Sequence, residues 1–103
     1  MERFSFVLQI DPANLETYLE RHRNVDQDLL QAFRETGVRT YSIYYDNGRL
    51  YAYMEALNIK ETLAMLEHHP ANVKWQQFMS DLLLRQNGEV LRPINEVFHF
   101  ESS

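Results

Sequence analysis

Three side chains in the first third of the chain have the types and spacing for acid–base chemistry. Tyr18, His22 and Asp26 recur at every fourth residue, and on one helix neighbours four apart touch. An imidazole, with an ordinary pKa near 6.5, both gives and takes protons at neutral pH. A carboxylate beside it would orient the ring and favour its charged form. The same spacing also fits a satisfied polar staple inside a core. Spacing does not decide between the two. Lys74-Trp75-Gln76-Gln77-Phe78-Met79 holds the one tryptophan of the sequence. Trp75 is either the anchor of a helix or an aromatic platform beside the Gln76 amide. The platform would suit a ligand with an apolar face and hydroxyl edges, such as a pyranose.

Other chemistries find less support. His68 and His69 are adjacent before Pro70, which suggests a cap at a helix C-terminus, and His99 lacks a ligand-spaced partner. Metal-binding motifs, glycine-rich phosphate loops and the G-x-S-x-G elbow are all missing from the sequence. Ser5, Ser42 and Ser80 have no base at a recognisable spacing. The expectation is a site without metal or cofactor.

The elements that must hold these residues are written in a chain of 103 residues, with Lys+Arg 10, Asp+Glu 15, net charge −5 and no cysteine. That length suits one domain with its own core. A cysteine-free chain has no disulfide scaffold, thiolate metal site or cysteine nucleophile. The acidic balance argues against nucleic acid as a partner. No apolar run reaches the length of a membrane span, and no signal-peptide pattern opens the chain, so a cytoplasmic protein is expected.

Phe4, Phe6, Leu8 and Ile10 alternate along a first strand. Asp11-Pro12 opens one amphipathic helix through Leu15, Leu19, Leu29, Leu30 and Phe33, ending before Gly37. Val38–Asp46 and Arg49–Leu57 are two strands around an Asn47-Gly48 turn. Asn58 and Glu61 form a capping-box pattern, and Pro70 restarts a helix on which Trp75, Phe78, Met79 and Leu82 share a face. Ile94–Phe100 reads as a last strand. The order is βαββαβ, an α+β ferredoxin-like arrangement with helices on one side of an antiparallel sheet. Both faces of the middle strands carry large groups, Tyr41 and Ile43 on one and Tyr44 on the other, with Tyr51 and Tyr53 also opposing Leu50 and Met54. A second copy covering the outer face is the expected partner, giving a homodimer.

Over nearly its whole length, from Phe4 to Phe100, the sequence resembles the L-rhamnose mutarotases. The matching pieces are Phe6-Val7-Leu8-Gln9-Ile10-Asp11-Pro12, Tyr18, Arg21-His22, Gly37, Tyr41-Ser42-Ile43-Tyr44, Lys74-Trp75, Phe78-Met79-Ser80-Asp81 and Glu96-Val97-Phe98-His99. The resemblance implies a dimeric α/β-barrel and a cofactor-free aldose 1-epimerase acting on a monosaccharide. It places the proton donor on His22, the sugar-contacting tyrosines on Tyr18 and Tyr41, and the first of two paired tryptophans on Trp75. Gln76 stands where the family has the second, and Asn24–Asp28 and Arg85–Pro93 also depart from its pattern. Two other classes use such a fold: a haem- or quinol-type monooxygenase, with His68 or His69 near the ligand, and a non-catalytic sugar-binding dimer.

Overall fold

A computed structural model describes residues 1–102. Strand β1 (Glu2–Ile10) is followed by a 3₁₀ turn (Pro12–Asn14) and helices α1 (Leu15–Arg23) and α2 (Gln27–Thr36). Strands β2 (Val38–Asp46) and β3 (Arg49–Ala56) form a hairpin, and helices α3 (Ile59–His68) and α4 (Pro70–Met79) come next. Two short strands, β4 (Leu83–Leu84) and β5 (Arg92–Ile94), close the chain.

The antiparallel sheet runs β2-β3-β1-β4, with β5 sharing the β1 edge with β4. This is the ferredoxin-like order that the alternation of elements predicts. Asp46 pairs with Arg49, so Asn47 and Gly48 alone make the turn, at φ 47° and 86°. Both positive values are what a two-residue turn matched to strand twist demands. Phe4, Met54 and Tyr41 lie abreast on the helix side, and so do Phe6, Ala52 and Ile43, then Leu8, Leu50 and Tyr45. A bulge at Arg39 puts two residues of β2 opposite one of β3. It shifts the phase, so Val38 pairs with Ala56 on the helix side rather than continuing the row of Ser42 and Tyr44.

Three expectations need correction. The helix expected from Pro12 to Thr36 is a 3₁₀ turn and two helices, because Asp26 takes the N-cap of α2 and its carboxylate accepts from the Asp28 amide. The last strand stops at Ile94, three residues long, and 95–100 run on unpaired. α4 ends at Met79, which leaves Leu82 beyond the helix and Phe78 52% exposed. Asn58 does cap α3, accepting from the Glu61 amide; the Ile59 amide goes to Glu2 of β1.

Gly37 ends α2 at φ 99°, and a Cβ there would lie 3.0 Å from the Thr62 hydroxyl. That hydroxyl donates to the Thr36 carbonyl at 2.6 Å, so it cannot move aside freely. Gly37→Ala should therefore lower unfolding free energy by about 1–3 kcal/mol. Chemical denaturation reads this directly, and an unchanged midpoint would refute the strained cap.

Candidate active site

Between the helices and the inner sheet face lies a cavity of about 810 Å³. Tyr18 and His22 reach it from α1, Tyr41 from β2, and Trp75 and Gln76 from α4. All five residues singled out by sequence meet there. Much of the remaining lining is hydrocarbon: Phe4 and Phe6 of β1, Leu29 and Phe33 of α2, Leu63 and Leu66 of α3.

The His22 ring is held on three sides. Its Nδ1 lies 2.9 Å from the Tyr18 carbonyl, an atom that can only accept, so Nδ1 carries the hydrogen. The ring stacks on the Tyr18 ring, centroids 4.3 Å apart at 29°, and meets Trp75 almost perpendicularly at 5.2 Å. Nε2 is left with the free lone pair, on a side chain that lines the cavity. Asp26 does not orient this ring. The break between α1 and α2 turns it away to its cap, and its other neighbour is Lys74, 3.9 Å distant. The carboxylate–imidazole column expected from the spacing is absent because a continuous helix is absent.

Tyr18 is 5% exposed, and burial pushes its phenol up to about 12. Tyr41 packs edge-on against Phe33 at 5.5 Å and Phe6 at 6.2 Å. Its phenol is raised further, first by burial and then by the nearby Tyr18. Both hydroxyls therefore stay protonated at neutral pH and can donate. Neither is a phenolate base.

His68 and His69 do not line the cavity. His69 ends α3, its amide donating to the Leu66 carbonyl, and its side chain also caps the N-terminus of α4: Nδ1 accepts from the Ala71 amide, and Nε2–H donates to Glu35 at 3.2 Å. Sequence reasoning missed Asn72 and Glu67, which join Gln76 at the cavity wall. The signal for Asn72 was available, since it stands four residues before Gln76 on one helix face. Helical periodicity along α1 assigns Arg21 to the solvent side. Instead its guanidinium donates to the Phe78 carbonyl at 2.8 Å and to both Asp81 carboxylate oxygens at 2.8 and 3.1 Å. That hydrogen bonding holds the Asp81 carboxyl below the usual carboxylate range.

The profile of the L-rhamnose mutarotase family matches residues 3–100. The chain belongs to this family. An L-rhamnose mutarotase of Sinorhizobium fredii is 31% identical over 103 residues, spanning 96% of this chain and 98% of the relative. The crystal structure of an L-rhamnose mutarotase from Formosa agariphila superposes with a TM-score of 0.83 at 28% identity, covering 98% of this chain and all of that one. The tetracenomycin F2 cyclase of Streptomyces glaucescens also superposes, with a TM-score of 0.77 over the full length of both chains. At 21% identity that likeness is one of fold. This chain and that cyclase thus share a scaffold, and a shared scaffold does not by itself carry a function.

Proposed function

We propose that the protein is an aldose 1-epimerase that interconverts the α and β anomers of L-rhamnose or a closely related sugar. The observation that carries this reading is His22, its Nδ1 hydrogen committed to the Tyr18 carbonyl, on the wall of a cavity that Tyr18, Tyr41 and Trp75 share. Mutarotation needs a proton at the ring oxygen and the removal of one from the anomeric hydroxyl. Protonated His22 donates from Nε2 to the ring oxygen. As the C1 hydroxyl gives up its proton, the C1–ring oxygen bond breaks and the aldehyde forms. Rotation about C1–C2 presents the other carbonyl face, the ring oxygen adds back, and both protons return. Nothing is consumed.

The neutral phenols of Tyr18 and Tyr41 hydrogen-bond sugar hydroxyls or pass the proton released by the C1 hydroxyl on to solvent water, which returns it on ring closure. Trp75 stacks on the apolar face of the ring, and the Phe4, Phe6 and Phe33 wall suits a 6-deoxy methyl group. Gln76, exposed at the cavity's edge, adds an amide for a further hydroxyl. Saturation-transfer NMR on equilibrated L-rhamnose, with L-fucose, L-lyxose and D-glucose in parallel, tests the reading. Faster anomer exchange for L-rhamnose is expected, and no acceleration for any of the four would overturn it.

The enzyme is further proposed to work as a homodimer. Tyr44 is 65% exposed on the outer sheet face, and Val97, Phe98 and Phe100 extend from the end of the sheet at 95%, 82% and 75% exposure. Apolar groups this exposed, on a sheet face and on a free strand-like tail, suit burial against a second copy. Sedimentation equilibrium should give twice the chain mass. A chain ending after Asn95 should dissociate, and a monomeric full-length protein would refute the dimer.

A further inference from the structure

We propose that Arg21 is a positioning residue: by tying α1 to the C-terminal end of α4, it sets where His22 stands against Trp75. The two working side chains come from helices about fifty residues apart in the chain, and the hydrogen bond that fixes the imidazole lies within α1 itself. It orients His22 on its own helix and says nothing about α4. The contact that does cross, ring against ring at 5.2 Å, has little directional force.

Arg21 supplies what that contact lacks. It precedes His22 directly, and Phe78 follows Trp75 by one turn of α4. Arg21 lies over the Phe78 ring at 4.6 Å, Phe78 touches Trp75 at 5.7 Å, and Trp75 touches His22. The four side chains close a circuit. The Phe78 carbonyl is one of the last four of its helix, which have no partner within the helix. Arg21 Nη1 fills that vacancy while the remaining donors clamp Asp81 just past the helix end. Only 19% of the Arg21 side chain is exposed, against 63% for Asp81. A planar cation with several donors can bridge carbonyl, carboxylate and ring together, which an ammonium cannot do. An exposed ion pair by itself would contribute little. The circuit makes a geometric claim that goes beyond charge pairing.

This inference rests on the proposed epimerase activity for its kinetic consequence, but its geometry can be tested without any sugar. Trp75 is the sole tryptophan, and a protonated imidazole in contact with an indole quenches its emission. The wild type should therefore lose fluorescence on acidification, and His22→Gln should abolish that step. Arg21→Ala should at least halve its amplitude while far-ultraviolet circular dichroism stays unchanged, and Arg21→Lys should not restore it. Asp81→Ala, a change at an exposed position, should give an intermediate loss and serves should Arg21→Ala fail to fold. In anomer exchange, Arg21→Ala should lower kcat about tenfold with KM changed less than threefold. A full quenching step in both folded variants would overturn the proposal, as would Asp81→Ala with unaltered step and kcat. If the wild type shows no anomer exchange, the epimerase reading fails while the fluorescence arm still decides the positioning role.

Discussion

His22→Ala is expected to slow enzyme-dependent anomer exchange by about 10²–10⁴-fold, the usual contribution of a positioned acid or base. The argument runs from the hydrogen on Nδ1. Because the Tyr18 carbonyl holds it at 2.9 Å, only Nε2 can exchange a proton with the substrate. The neighbouring phenols cannot substitute as bases, since burial keeps both in the neutral form. Alanine leaves Tyr18, Tyr41 and Trp75 to bind sugar, so the loss should fall on kcat more than on KM. His22→Gln separates two roles. Its amide can donate a hydrogen bond but cannot transfer a proton, so it should be nearly as slow as alanine. A glutamine variant close to wild type would show that His22 only binds, and an alanine variant close to wild type would remove it from the chemistry altogether.

The residues that could be named from sequence are those whose local pattern already carries their placement. β1 and β3 alternate throughout and β2 does so from Thr40 on, and the Asn47-Gly48 turn fixes the β2–β3 register, which puts Tyr41 on the helix side. Its part in the site was named only through the family resemblance. Trp75 sits on a helix opened by Pro70, and its inward direction follows from the spacing. Asp26 was misjudged because the stretch Asn24-Val25-Asp26 contains neither glycine nor proline to announce a break. An aspartate in the middle of a helical pattern competes for backbone donors, and here it won the cap of α2.

The last strand failed for a different reason. Ile94 pairs with Ser5 and ends the ladder, and past it Arg3 meets Glu96 only through a side-chain ion pair at 2.8 Å. Val97, Phe98 and Phe100 carry the apolar content of a strand, but no strand of the described residues pairs with them, so the pattern is present and the pairing is not. Arg21 was illegible because its partners lie 57 and 60 residues away. Helical periodicity put it on the solvent side, and nothing local could reveal that α4 ends beneath it.

The protein should lose stability steeply above pH 10, through tyrosine burial. In the unfolded chain the Tyr18 phenol ionises near 10, whereas in the folded protein it holds its proton to about 12. Below pH 10 both states are protonated, and the favourable burial of the neutral phenol is fully present. Between 10 and 12 the unfolded state releases a proton that the folded state keeps, so rising pH favours unfolding. Tyr18 alone accounts for a loss of about 2 kcal/mol by pH 11.5, from the difference in the two pKa values. Tyr41, raised further by burial and by Tyr18, adds to the same slope. Urea denaturation at pH 8 and pH 11.5 measures the loss. Growing negative charge destabilises any acidic protein at such pH, so the comparison that matters is with Tyr18→Phe and Tyr41→Phe, which bury similar rings without an ionisable hydroxyl. Each should flatten the decline, and the pair together should remove most of it. An undiminished slope in the double variant would mean that neither phenol is buried as described, and the assignment of both as neutral donors to the sugar would fall with it.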